Sequence, residues 1–193
     1  WAAHNGHVAV AQCLVTAGAE LEAKSDIGKT ALMLAAQNGH VETVQHLVDA
    51  GAELNAKAKN GVTALIFAAH QGHVAVAQCL VTAGAELNAK QKDGWTALMW
   101  AAQQGHVETA QCLVTAGAEL EAKNEDGMTA LMFAAENGHL ETAQYLVTAG
   151  AELNAARPDG MTALMWAAHN GHLETAQCLV TAGAELEAKS DIG

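Results

Sequence analysis

The sequence predicts an all-α repeat solenoid of helix, helix and hairpin units, and three observations carry that prediction. Glycine recurs every 33 residues in three interleaved series that together hold all 18 glycines. One series is Gly28, Gly61, Gly94, Gly127, Gly160 and Gly193; the second runs from Gly6 to Gly171, and the third from Gly18 to Gly183. A strict period of this length marks a stacked array. Between the glycines lie helix caps and apolar positions in stretches too short to be stable alone. The composition is 51% hydrophobic but 4% aromatic, so alanine, leucine and valine must form a core shared between neighbours.

One unit, residues 91–123, justifies each element. Asp93-Gly94 is a tight-turn dipeptide. Thr96 is placed to N-cap a short helix from Ala97 through Gln104, and Gly105 ends it. A second helix is predicted from Val107 to about Ala116, with Gly117 as its left-handed cap. Glu119 to Lys123 alternates polar and apolar, which predicts an extended hairpin arm. Leu98, Ala101, Ala102, Leu113 and Val114 must then bury against adjacent units. The register is a partial unit 1–24, full units 25–57, 58–90, 91–123, 124–156 and 157–189, and the start of another at 190–193. It begins inside a first helix and ends inside a turn, as a window on a longer array would. Residues 1–28 and 166–193 differ only at Val8/Leu173, Ala9/Glu174 and Val10/Thr175.

Each full unit keeps Gly-x-Thr-Ala-Leu, Ala-Ala-x-x-Gly-His and Gly-Ala-Glu-Leu. In these motifs the whole chain resembles the ankyrin repeat family, whose unit reads roughly D-x-x-G-x-T-P-L-H-x-A-A-x-x-G-H, a second helix, then L-L-x-x-G-A-D-V-N-A. The family's Thr-Pro-Leu-His is Thr-Ala-Leu-Met at 30–33, 96–99, 129–132 and 162–165, and Thr-Ala-Leu-Ile at 63–66. Loss of the preset proline costs about 0.4–1 kcal/mol per copy through the unfolded state. Methionine also lacks the histidine's hydrogen bond to the threonine. These departures bear on stability rather than on fold.

Little in the sequence points to chemistry. Gly28-Lys29-Thr30 ends like a phosphate-binding loop, but that loop needs a glycine where Ala23 stands, and a preceding buried strand. The ten histidines include the pairs His4/His7, His70/His73 and His169/His172. No third or fourth ligand follows at tetrahedral spacing. His7, His40, His73, His106, His139 and His172 match the family's Gly-His, where a ring bond to loop backbone is the expected role. Cys13, Cys79, Cys112 and Cys178 share one position on the second helix. Axes of packed helices lie about 8–10 Å apart, too far for a disulfide, so free thiols in a reducing, intracellular, cytoplasmic setting are expected. Ser25 and Ser190 are the only serines and lie in turns. No cofactor, metal or catalytic residue is assigned, and the chain reads as no enzyme.

The balance of 9 basic and 21 acidic residues, net charge -12, repels nucleic acid and anionic membranes. No apolar run approaches the length of a bilayer span. The charge suits a protein partner with a basic surface. Glu20, Glu53, Glu86, Glu119, Glu152 and Glu185 recur once per unit, with Lys24, Lys57, Lys90, Lys123 and Lys189 four residues later. The expected result is a solvated, self-screening edge.

One slot varies while its neighbours barely change: Lys29, Val62, Trp95, Met128, Met161. The resemblance implies that hairpin tips and the inner face of first helices contact partners. It therefore assigns to a partner surface this slot and the first-helix positions His70, Gln103, Glu136 and His169. Trp95 is expected to dominate binding and to matter little for stability. The series Trp1, Leu34, Phe67, Trp100, Phe133 and Trp166 is expected to pack between units. Two functions follow: a non-enzymatic protein-interaction scaffold presenting a concave surface, or a structural array that is elastic or filament-forming through end-to-end self-association. The near-identity of the copies favours the second more than is usual for such arrays.

Overall fold

A computed structural model describes residues 1–186, and eleven α-helices lie within them. The first helices are α2 (Ala31–Gln37), α4 (Ala64–Gln71), α6 (Ala97–Gln104), α8 (Ala130–Glu136) and α10 (Ala163–His169). The second helices are α1 (Val8–Thr16), α3 (Val41–Asp49), α5 (Val74–Thr82), α7 (Val107–Thr115), α9 (Leu140–Thr148) and α11 (Leu173–Thr181). Each first helix packs on its neighbours in the first layer and on its own second helix, giving two stacked layers. The predicted α6 matches residue for residue, while α7 stops one residue early, with Ala116 as its C-cap.

Threonine starts every first helix. The side chains of Thr30, Thr63, Thr96, Thr129 and Thr162 accept from the amides of Met33, Ile66, Met99, Met132 and Met165, each at 3.4 Å. This satisfies one of the orphan donors of the first turn. The same Met33, Ile66, Met99 and Met132 side chains are fully buried. Where the family places histidine, this chain thus places an apolar residue that fills the core.

Two expectations are corrected. The arm at Glu119–Lys123 is not an extended strand; residues 120 and 121 form a turn, and among the described residues the one bridge is the isolated pair Ala156–Thr162. Each hairpin is closed instead by two loop bonds, such as Gln91 N–H to Trp95 O and Gly94 N–H to Gln91 O, both at 3.0 Å. The glutamate–lysine edge is not merely solvated. Lys24, Lys90 and Lys123 stay exposed, yet their Nζ atoms donate to Lys57 O, Lys123 O and Ala156 O at 3.4, 3.0 and 3.0 Å, so three of these lysines reach the following unit. The positions Lys189, Ser190 and Gly193 lie outside the described residues.

Three further sets of bonds join the units. The amides of Glu53, Glu86, Glu119, Glu152 and Glu185 donate to the side chains of Glu22, Asn55, Asn88, Glu121 and Asn154, at 2.8–2.9 Å. Loop amides cross between hairpins, from Lys59 to Ile27 O, Lys92 to Asn60 O and Glu125 to Asp93 O. The corresponding residue of the next unit is Pro158, which has no N–H to give. The third set runs through the histidines, at the ends of the first helices.

One buried position carries an unmet polar group. Thr43, Thr109 and Thr142 on the second helices are all but inaccessible, and their hydroxyls find no partner among the described residues. Val76 fills the same slot in another copy and is equally buried. A buried hydroxyl without a partner carries an uncompensated desolvation cost. Thr109→Val is therefore expected to stabilise the array by about 1 kcal/mol, read as a higher urea midpoint at unchanged slope.

Candidate functional site

The face formed by hairpin loops and first helices is built from two positions per unit, a mostly aromatic one on the first helix and the varying slot of the hairpin. The first-helix series Leu34, Phe67, Trp100 and Trp166 is half-buried, and Phe133 is 4% exposed. Trp1, expected to pack in the same way, is exposed. In the varying slot the outcome divides. Val62, Met128 and Met161 are buried, at 6%, 3% and 8% exposure. They cannot form an exposed stripe, because the hairpin folds them down onto the first helices. Lys29 and Trp95 keep part of their surface.

Trp95 is not a free tip either. Its ring is wedged between Trp100, at 4.4 Å between centroids, and Phe133, at 4.1 Å, tilted about 30° to each. His70 meets Trp100 edge-on at 4.6 Å. Four aromatic rings from three units thus form one run, so Trp95 contributes to stability as well as to surface. Beside that run opens a cleft of about 450 Å³, lined by Phe67, His70, Gln71, Asp93, Trp95 and Trp100 among others.

Charge is placed at both flanks of the face. Lys29 Nζ lies 4.3 Å from the Phe67 ring centre and donates to Gln37 Oε1 at 2.7 Å. Arg157 lies over Trp166 at 5.6 Å and pairs with Asp159 at 3.2 Å. These are cation–π contacts within the chain. Burial lowers the pKa of Lys29. Burial also lowers that of His70, with a further push from His106. Glu136 is raised by burial, partly offset by Arg157. Gln103 is half-buried and its Oε1 has no partner among the described residues. His169 is exposed at the end of α10.

The Gly-His residues explain how this face is held in register. The Nε2 atoms of His40, His73, His106, His139 and His172 lie 2.9–3.2 Å from the carbonyl oxygens of His4, Gln37, His70, Gln103 and Glu136. A carbonyl only accepts, so each Nε2 carries the proton. The rings of His73, His106, His139 and His172 therefore cap the ends of the preceding units' first helices, and that of His40 holds the turn at His4, rather than their own loops. The family resemblance implies a bond to loop backbone; the partner found, 36 residues away, is set by stacking alone.

Among the described residues no group of three His, Cys, Asp or Glu side chains is arranged to hold a metal ion, and no helix is long and apolar enough to cross a membrane. All four cysteines are free. Cys79 and Cys112 donate to Gln45 and Gln78 of the preceding second helix, at 3.2 and 3.3 Å. Burial raises both thiols, and Asp49 adds to the shift at Cys79. Both therefore favour the unreactive protonated form.

Stacked two-helix units joined by short loops define a repeat solenoid. A family model described as ankyrin repeats (3 copies) matches residues 1–58, 43–124, 66–157 and 111–190. The chain belongs to the ankyrin repeat family. Ankyrin repeats are generally protein–protein interaction modules, typically without catalytic activity. Comparison with curated proteins finds no match for this chain.

Proposed function

We propose that this chain is a non-enzymatic scaffold that binds a protein partner on the concave face formed by its hairpin loops and first helices. The observation that carries this reading is the cleft beside Trp95 and Trp100, which these half-buried rings and His70 line together with polar loop residues. Aromatic side chains framed by polar ones are the usual anchors of interfaces. The partner-contacting set is narrower than the nine residues expected from the sequence: Lys29, Trp95, His70, Gln103, Glu136 and His169 keep some surface, whereas Val62, Met128 and Met161 support them from below. An intracellular setting fits the free thiols.

The test places one charge on each layer. Gln71 lines the cleft, and Gln111 is exposed on the second-helix layer. Proteins captured from the native source by the wild-type chain are retested against Gln71→Arg and Gln111→Arg. Gln71→Arg is expected to weaken binding about tenfold or more, roughly 1.4 kcal/mol, while Gln111→Arg leaves it intact. Equal losses would remove the face from the reading. The alternative, a structural array, draws on the same inter-unit bonds recurring along the stack. Filaments of the native protein in electron micrographs, with neither variant affecting capture, would put it ahead.

A further inference from the structure

Within the stack, one arrangement occurs twice but is completed only once. In the unit 157–189, Arg157, Asp159 and Trp166 form a set: the guanidinium pairs with the carboxylate at 3.2 Å and lies over the indole at 5.6 Å. Two units earlier, 66 residues back, the same positions hold Gln91, Asp93 and Trp100. The carboxylate and the indole are retained, and the cation is replaced by a neutral side chain. The unit between them offers no such pair, because its aromatic position is the buried Phe133.

The incomplete set is also where the molecule is open. Gln91, Asp93 and Trp100 line the cleft of about 450 Å³, together with Asn60 and Trp95. Asp93 is exposed, and the sole side-chain ion pair among the described residues is the one at Arg157. On the far wall Lys29 already covers the Phe67 ring and is engaged with Gln37. Lys29 and Arg157 thus stand at the two flanks of the aromatic run, and the lining of the central cleft holds the carboxylate of Asp93 beside Trp95 and Trp100 with no lysine or arginine among it.

We infer that the central cleft takes the guanidinium of an arginine side chain presented by a basic segment of a protein partner. The guanidinium pairs with Asp93, and the apolar stem lies along Trp95 and Trp100. A planar guanidinium matches a carboxylate bidentately and stacks on aromatic rings, which an ammonium does less well. The net charge of -12 draws a basic segment to the surface from a distance. Within the chain, Arg157 shows the geometry that the incoming side chain reproduces. This inference rests on the reading of this face as a partner surface, and it adds the chemistry of what binds there.

The probe is a labelled peptide, acetyl-Gly-Arg-Gly-Arg-Gly-amide, beside its citrulline twin, which keeps the shape and loses the charge. Binding is followed by fluorescence polarisation and by the indole N–H signals of Trp95 and Trp100. The arginine peptide is expected to bind and to shift both signals, with the citrulline peptide about tenfold weaker or more. Asp93→Asn is expected to weaken the arginine peptide about tenfold. Asp126→Asn, the same loop position one unit along, removes an equal charge and is expected to change it less than about twofold. Gln91→Arg rebuilds the Arg157 set inside the cleft and is expected to abolish binding while the unfolding midpoint stays or rises. Equal losses for Asp93→Asn and Asp126→Asn, equal binding of the citrulline peptide, or no binding at all would overturn the inference. If the arginine peptide fails while Gln71→Arg still disrupts the captured partner, the scaffold reading stands and the arginine site falls. If both fail, both readings fall.

Discussion

Gly105→Ala is expected to cost the array about 3 kcal/mol, from two sources. Gly105 sits at φ 71°, in the left-handed region, where a side chain costs about 1–2 kcal/mol. An added Cβ would also lie 2.6 Å from Nδ1 and 2.8 Å from Cγ of His139 in the next unit. The ring cannot swing its tip aside; it must move bodily, and its 2.9 Å bond to Gln103 O moves with it. Overpacking of this kind adds about 1–3 kcal/mol. Gly117 separates the two terms. Its φ is 101°, but an added Cβ meets nothing within 4 Å, so Gly117→Ala is expected to cost only about 1–2 kcal/mol. Urea denaturation of both variants measures the difference. Equal costs would show that the His139 ring relaxes freely and that its bond does not hold the junction.

Phe133→Ala is expected to cost about 3–5 kcal/mol, the range for truncating a buried aromatic. Phe133 is 4% exposed and stacks on Trp95 at 4.1 Å. In an array, stability is a sum of unit terms and nearest-neighbour interfaces, so the loss should also divide the stack. Beyond Phe133 the loops already lack one crossing bond, at Pro158. Hydrogen exchange is expected to show α10 and α11 opening at lower free energy than α4 and α5, and Trp95 emission should shift red as its ring loses one neighbour. Uniform exchange along the variant would mean that the stack still unfolds as one body.

The difference between Trp95 as expected and Trp95 as found is instructive. In sequence it occupies a slot that varies and that holds Lys29 in another copy, which reads as a solvent-facing tip. The slot in fact folds over the first helices, where a lysine lays its stem along Phe67 and a tryptophan enters an aromatic stack. Variation there reflects a position at the boundary of the core that accepts side chains of different size and polarity, from the buried Val62 to the half-buried Trp95 and Lys29. The buried Val62, Met128 and Met161 follow from the same geometry. The pairing of Gln91, Asp93 and Trp100 with the Arg157 set could have been found by aligning the units, but only the ion pair and the cleft gave the comparison chemical meaning.

Periodicity and local chemistry were enough for the units themselves. Glycine spacing, threonine caps and the alanine-rich helix faces depend on residues within a few positions of one another, so helix boundaries such as Ala97–Gln104 are written locally. The junctions are different. The carbonyl that His139 caps, the glutamate amide that Asn88 receives and the carbonyl that Lys90 reaches lie 31 to 36 residues away. Those bonds exist only once two units have stacked at one offset, because their distances depend on the packing of whole helices rather than on spacing along the chain. The same is true of the cleft, whose walls come from neighbouring units and which no single repeat contains.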